Sequence, residues 1–453
     1  MAVNRSRLPE PGPSPRVAFP AIEKSTLANG LRVWTVGHRQ VPVVAFALLV
    51  TTGASADPAG LDGLAAITAD MLDEGTGALS AIQVHEAIAR LGAQLETDIG
   101  SDAMSLGFTV LARFADRALA LLGDVVARPA LRDDDFARVR QLRLHRLTQL
   151  RDVPSAIADR AFVSLVYGRH PYGHTPIGSE RTLTAVTADD VRGFHRRAVR
   201  PSAATLIAVG DCDHDAVRRS AEAAFGAWSN TGDEVSSGDT PWPAPAKLNV
   251  VPRPGAPQSE LRIGHVAAPR TTPDYHALVV ANMVLGGQFT SRINMNLREE
   301  KGFTYGARTS FDFRRGPGPF VLQVGVQTSA TAESIQESIR EITEMRGSRP
   351  ITADELRLAV AALTRGYARN FETADQIGRA ATQLALYELP DTYFSEFVPR
   401  VEAVTVEGIA DALARNLDPT RLTTVVVGDY AAVGADLARI GLGDPVVMSA
   451  ETF

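Results

Sequence analysis

The sequence predicts an α+β protein built from two copies of one domain, and three observations carry that prediction. A set of motifs recurs at one fixed offset, a stretch of linker composition separates the copies, and within each copy amphipathic helices alternate with apolar, β-branched strands.

The repeat comes first. Thr187 in AVTADDV returns 218 residues later as Thr405 in AVTVEGI, and Thr205 in TLIAVGD returns at the same distance as Thr423 in TTVVVGD. Gly210-Asp211 and Gly428-Asp429 keep that offset. Each copy runs from a capped helix through a short gap to an apolar strand ending at Gly-Asp. In the first copy Thr187 and Asp190 have capping-box spacing, in which each side chain takes the other residue's orphan amide. Several coincidences at one offset argue for a duplicated unit of about 220 residues. Residues 229–247, SNTGDEVSSGDTPWPAPAK, are rich in Gly, Ser, Asp and Pro and have the composition of a linker. The expected organisation is therefore 1–228, a 229–247 linker, and 248–453. Ser80-x-x-Gln83 opens a helix that stops near Gly92, and Thr352-x-x-Glu355 opens another. Mostly antiparallel sheets with helices packed on one face bury both kinds of apolar surface.

Composition bounds the function. The chain has 453 residues, 45% of them hydrophobic, enough for a large core and two or three domains by length. Its net charge is −6 and its basic residues are scattered, a pattern that does not favour nucleic acid. The single cysteine, Cys212, allows neither an internal disulfide nor a cysteine metal cluster. The polar, proline-rich N-terminus is not a secretory signal. The apolar run at 41–50 contains Pro42 and is half the roughly 20 residues a membrane span needs. These features lead us to expect a cytoplasmic chain without a membrane partner; a mature chain that has lost its leader would be periplasmic.

Residues 63–76 read GLAAITADMLDEGT, with Asp62 placed as N-cap and Gly75 as the helix stop. This stretch resembles the pitrilysin, insulinase and mitochondrial processing peptidase family, where it reads GLAHxLEHMLFxGT. The frame is shared at Gly63, Leu64, Ala65, Met71, Leu72, Gly75 and Thr76. In that family an HxxEH motif places two zinc-binding imidazoles and a water-activating glutamate on one helical face. The corresponding positions here are Ala66, Ala69 and Asp70. The family's third ligand, a glutamate before an Asp-x-Pro segment, aligns with Arg146, ahead of Asp152-Val153-Pro154. One aspartate cannot replace a site whose zinc binding is worth on the order of 10 kcal/mol. The resemblance thus implies no metal or other cofactor in this chain. His170 and His174 of HPYGH read as structural, because Pro171 and Gly173 oppose a helix there. His85, His145, His195, His214 and His276 stand isolated on helical patterns.

The second half retains the family's other signature. Residues 282–311, NMVLGGQFTSRINMNLREEKGFTYGARTSF, resemble its Gly-Gly, SRL and LREEKG-x-x-Y sequence. The resemblance implies that Arg298 and Tyr305 face a zinc site across a cavity and donate hydrogen bonds to the substrate carbonyl and its oxyanion. It also makes Gly286 and Gly287 candidates for a loop that approaches substrate. The competing reading pairs Arg298 with Glu299 or Glu300 and packs Tyr305 on a strand edge. The likeness runs from TLANGLRVW at 26–34 to VVVGD at 425–429. It implies a bowl-shaped, half-clamshell chain that is inactive alone and serves as the non-zinc subunit of a heterodimeric peptidase. The HxxEH-bearing partner would hold the zinc, and the shared substrate would be a peptide. Two other uses fit the same family: a scaffold subunit, as in the core proteins of the respiratory cytochrome bc complex, and a peptide-binding module without proteolysis.

Overall fold

The computed structural model describes residue 12 and residues 16–77, 79–229 and 247–452, so most of the expected linker (230–246) lies outside the described residues. The first half contributes β1 (Glu23–Thr26), β2 (Arg32–Gly37), β3 (Val43–Val50), a short hairpin of β4 (Gly75–Thr76) and β5 (Leu79–Ser80), β6 (Glu96–Ile99), β7 (Met104–Leu111) and β8 (Ala204–Gly210). The second contributes β9 (Leu248–Pro252), β10 (Gln258–Val266), β11 (Ala307–Phe311), β12 (Pro319–Gln327), β13 (Thr423–Gly428) and β14 (Val446–Val447). Two six-stranded sheets result, in the orders β1-β2-β8-β3-β7-β6 and β11-β12-β10-β13-β9-β14.

The duplication extends to topology. The two Gly-Asp strands, β8 and β13, each have a parallel neighbour on one side (β2, β9) and an antiparallel neighbour on the other (β3, β10). Outward from there β7 matches β12 and β6 matches β11. Only the far edge differs: β1 is antiparallel to β2, whereas β14 is parallel to β9. The capping boxes at Ser80, Thr187 and Thr352 form with both arms made, and the Thr405 hydroxyl accepts the Gly408 N–H.

TLIAVG and TTVVVG lack the alternation of a half-solvated strand because both faces of each are covered. Leu206 and Ala208 face a core that includes Val191, Phe194 and Phe225 of the same half. Ile207 and Val209 face Ile377, Ala381 and Leu384 on the Ala374–Tyr387 helix, which belongs to the other half. The converse holds for the second sheet. Val425 and Val427 pack against Ile157, Phe162 and Val166 of the Pro154–Tyr167 helix of the first half. Each half therefore packs its own helices on one face of its sheet and receives an exchanged helix on the other. Gly264 of β10 permits the close approach: a Cβ there would lie 3.0 Å from the Phe162 ring and 2.0 Å from the Phe320 carbonyl oxygen. An ion pair ties the same helix down: the Arg262 side chain, 4% exposed, places its Nε 2.6 Å from the carboxylate of the half-exposed Asp159.

Candidate functional site

The helix at the family's zinc motif is Leu64–Asp70, shorter than the sequence suggests and capped by a different residue. Asp57, not Asp62, satisfies its start: the Asp57 carboxylate, fully buried, accepts the Gly63 N–H at 2.7 Å and the Ala65 N–H at 2.6 Å. The chain bends between Asp57 and Gly63, which brings this more distant carboxylate under the first turn. The helix ends at Asp70, and Gly75 lies beyond it in β4, paired with Ser80 at φ +120°. His174 donates from Nε2 to Asp57 at 3.1 Å, and its Nδ1 stands 4.0 Å from Asp62. Burial opposes charging of His174, but the hydrogen bond and the charge of Asp57 outweigh it and raise its pKa. His174 thus braces the cap of this helix, a structural role of the kind that Pro171 and Gly173 suggested for HPYGH.

Ala66 and Ala69 are buried methyl groups with no donor atom to offer. Asp70, the one potential ligand, is taken by a cation: Arg143 Nε approaches its carboxylate at 2.6 Å. Arg146, aligned with the third ligand, lies exposed on the Asp133–Leu150 helix and donates to Gln149 at 3.2 Å. The helix turns Arg143 inward instead, on the stripe of Phe136, Val139 and Leu147. Among the described residues no group of three or more His, Cys, Asp or Glu could hold a metal ion. Two alanines and an arginine-bound aspartate do not fit zinc.

Arg298 lies on a helical segment that starts at Arg292 and widens into a π-helical turn over Met295–Glu300, a form frequent at functional sites. Arg292 anchors it, with Nε and Nη2 each 2.7 Å from the Glu355 carboxylate and two further bonds to the carbonyls of Arg349 and Pro350. Burial raises the Glu355 pKa, but these arginine bonds dominate and bring it down to about 2. Asn296 donates to Glu337 and Glu341 at 2.8 and 2.9 Å. From this base the Arg298 guanidinium lies 4.2 Å over the ring of Phe289, itself 58% exposed. Its nearest carboxylate, Glu299, is 3.5 Å away.

Tyr305 follows in a bend held by Thr304, whose hydroxyl donates to the Gly325 carbonyl at 2.7 Å and accepts the Gly306 N–H at 3.1 Å. Tyr305 does not pack on a strand edge: it is 92% exposed, and its hydroxyl has no hydrogen-bond partner among the described residues. Asn294 ties the two loops together, accepting the Ala307 N–H at 2.8 Å and donating to the Gln288 carbonyl at 3.1 Å. Gly286 and Gly287 are accounted for by packing. A Cβ at Gly286 would lie 2.5 Å from the Thr309 hydroxyl in β11, and one at Gly287 would lie 2.9 Å from the Asn282 amide. Gly286 lets the turn Met283–Gly287 sit close to β11 and Gly287 packs against the preceding residues of its own helix, so both lie in a helical turn and not in a loop.

The two regions do not come together within the chain. The Leu64–Asp70 helix packs chiefly on the Ala188–Ala198 and Asp133–Leu150 helices and β6, the Arg298 segment on the Thr331–Arg346 helix and β11. Topologically they are counterparts, since each lies between equivalent strands, β3 to β6 in one half and β10 to β11 in the other. Phe289, Asn294 and Arg143 escaped the sequence reading. Only Arg143 left a signal there, its place on the helical stripe.

A repeated sheet-and-helix half with a vacated zinc position defines an inactive-type, peptidase-like protein. Comparison with known proteins agrees. The insulinase (peptidase family M16) model matches residues 32–178, and the peptidase M16 inactive domain model matches residues 185–363. An uncharacterized zinc protease of Mycobacterium leprae is 24% identical over 90% of this chain and 92% of its own length. The uncharacterized zinc protease YmxG of Bacillus subtilis is 22% identical over 87% and 95%. The crystal structure of a peptidase M16 inactive domain from Pseudomonas fluorescens superposes with a TM-score of 0.84 at 23% identity, covering 90% of this chain and 98% of that one. A protease from Helicobacter pylori gives the same TM-score at 20% identity, covering 90% and 99%. The chain belongs to the insulinase-type peptidase family M16 and lacks its zinc motif. Among the described residues no helix is long and apolar enough to cross a membrane.

Proposed function

We propose that this chain is the non-zinc subunit of a two-chain M16 peptidase, in which residues 1–228 and 248–453 form one half of a peptide chamber and an HxxEH-bearing partner forms the other. One contrast carries the reading. The helix that should hold metal has lost every ligand, while Arg298 is stacked on an exposed ring and Tyr305, seven residues further on, stands 92% exposed. A tyrosine held in water by a hydrogen-bonded bend contributes little to the fold and leaves its O–H able to donate to a bound group.

In this reading a zinc held by the partner's HxxEH residues would supply activation of the attacking water. The residues of this chain act on the carbonyl under attack. Arg298 presents a planar fork of N–H donors, kept in place by Phe289 and by the Arg292–Glu355 anchor beneath it. Tyr305 presents one O–H donor. Both are aimed at an oxygen whose charge grows as the tetrahedral intermediate forms, where a fixed donor is worth about 3–4 kcal/mol. The peptide lies extended along an edge strand of the partner and is read by backbone pairing.

The test is reconstitution. The isolated chain is expected to carry no stoichiometric zinc and to cleave no peptide, and mixing with an HxxEH-bearing chain is expected to produce activity absent from this chain alone. One tightly bound zinc per isolated chain, by metal analysis, would overturn the reading.

A further inference from the structure

Arg298 and Tyr305 sit on different pieces of chain, and two donors serve one oxygen only if those pieces keep a set separation. Backbone bonds close the turn after Arg298: the Gly302 N–H donates to the Arg298 carbonyl at 3.1 Å and the Phe303 N–H to the Leu297 carbonyl at 2.9 Å. They stop short of Tyr305, and the chain reverses at Gly302 with φ +67°. Beyond the reversal the Thr304 hydroxyl fastens the Tyr305 bend to β12. Each piece is thus held separately.

One buried side chain bonds both. Asn294, 8% exposed, ends the single α-helical turn Arg292–Asn294, from which the π-helical turn carrying Arg298 grows. Its amide nitrogen donates to the Gln288 carbonyl at 3.1 Å and to Ser291 Oγ at 3.4 Å. Gln288 precedes Phe289, whose ring lies under the Arg298 guanidinium. The Asn294 amide oxygen accepts the Ala307 N–H at 2.8 Å, two residues past Tyr305. A carboxamide donates and accepts from opposite ends of one rigid plane, so a shift on one arm is passed to the other.

We propose that Asn294 is a positioning residue, which sets the Phe289–Arg298 stack and the Tyr305 bend relative to one another so that both donors converge on one substrate oxygen. The proposal rests on the reading of Arg298 and Tyr305 as oxyanion donors. A purely architectural asparagine, closing the open end of the edge strand β11, would need only the bond to Ala307. The second arm, to Gln288, reaches the loop that supports Arg298 and gives the residue its further use.

The experiment uses the full chain, alone and reconstituted with the HxxEH-bearing chain. In the reconstituted peptidase Asn294→Ala is expected to lower kcat about tenfold with KM within about twofold of wild type, the signature of lost alignment. In a Tyr305→Phe background the same change is expected to cost no more than about twofold, because a lone donor has no second donor to be aligned with. Equal losses in both backgrounds, or a raised KM at unchanged kcat, would overturn the proposal. Hydrogen exchange of the isolated chain reads the two arms without a partner. Asn294→Ala should speed exchange around both Gln288 and Ala307. Asn294→Asp, which keeps an acceptor for the Ala307 N–H and has no donor for the Gln288 carbonyl, should speed it around Gln288 alone. Exchange in Asn294→Ala that rises on one side only would also overturn it. Wild-type turnover in Asn294→Ala, with Arg298→Ala and Tyr305→Phe both impaired, would remove the positioning role alone. Wild-type turnover in all three would remove the donor reading on which it rests.

Discussion

Arg143 Nε lies 2.6 Å from the Asp70 carboxylate, at the position where the family's motif has its second histidine. An internal cation thus meets the only acidic group left at the zinc position. The Arg143 side chain is 11% exposed and that of Asp70 41%, so water screens the pair and its coupling is expected at about 1 kcal/mol or less. Arg143→Met and Asp70→Asn, combined in a double-mutant cycle by urea unfolding, should recover that coupling. Asp70→His alone is expected to take up no stoichiometric zinc, because Ala66 and Ala69 still supply no donor. Metal analysis of that variant checks the point, and one bound zinc would show that other ligands complete the site.

The second prediction concerns Arg298 and Tyr305 in the reconstituted peptidase. Arg298→Ala and Tyr305→Phe should each lower kcat by about 10²–10³, the effect of removing one oxyanion donor. Tyr305→Phe should leave the thermal midpoint unchanged, because Tyr305 is almost wholly exposed, and Arg298→Ala should lower it only slightly, through loss of the Phe289 stacking and the solvent-screened Glu299 pair. Phe289→Ala should act more mildly: loss of an exposed cation–π contact is worth about 0.5–1 kcal/mol, so turnover falls a few-fold. Turnover within about twofold of wild type in both donor variants would remove the oxyanion role.

These three residues also mark how far the sequence could be read. Arg298 and Tyr305 were legible because residues 282–311 resemble the family's signature, a contiguous stretch that can be matched without knowing the fold. Phe289 was not, since its contact depends on the π-helical widening at 295–300, which no periodicity announces. Asp57 was hidden for a similar reason: a cap reached across a bend of six residues looks like a loop aspartate, and Asp62 stood nearer the helix. Arg143 was available, since Phe136, Val139, Arg143 and Leu147 follow helical spacing. A charged residue on an apolar stripe points inward to a partner, whereas a gapless alignment pointed to Arg146. At the level of fold, the sequence reading placed helices on one face of each sheet, whereas β8 and β13 are covered on both. That the second cover comes from the opposite half is a property of tertiary structure alone.

The Asp57–His174 contact gives stability a pH dependence of definite sign. His174 has a folded pKa raised above 6.5, so the folded state holds its proton more tightly than the unfolded chain. The stabilisation is complete below the unfolded pKa of about 6.5 and is lost as pH rises through the higher folded value. Wild type should therefore exceed His174→Gln in thermal midpoint by more at pH 6 than at pH 8.5. A difference constant across that range would mean that His174 acts there as a neutral hydrogen-bond donor only. Asp57→Ala should be costlier at either pH, because it leaves the amides of Gly63 and Ala65 without their acceptor, at about 1–3 kcal/mol for each buried group left unpaired.

The exchanged helices predict where a core mutation is felt. Phe162 belongs by sequence to the first half, yet its ring packs with Val425, Val427 and Val321 of the second sheet and presses on Gly264. Phe162→Ala removes a ring that is 3% exposed and should cost about 3–5 kcal/mol. If the two halves were independent units, that loss would loosen the 1–228 region and leave the other protected. The packing requires the opposite: amide exchange should accelerate in β10 and β13 of the second half, and the strands of the first sheet, whose open face is covered by the Ala374–Tyr387 helix, should change less. Hydrogen-exchange mass spectrometry of the variant separates the cases. Faster exchange confined to the first sheet would mean that the Pro154–Tyr167 helix contributes little to the second half, despite its burial there.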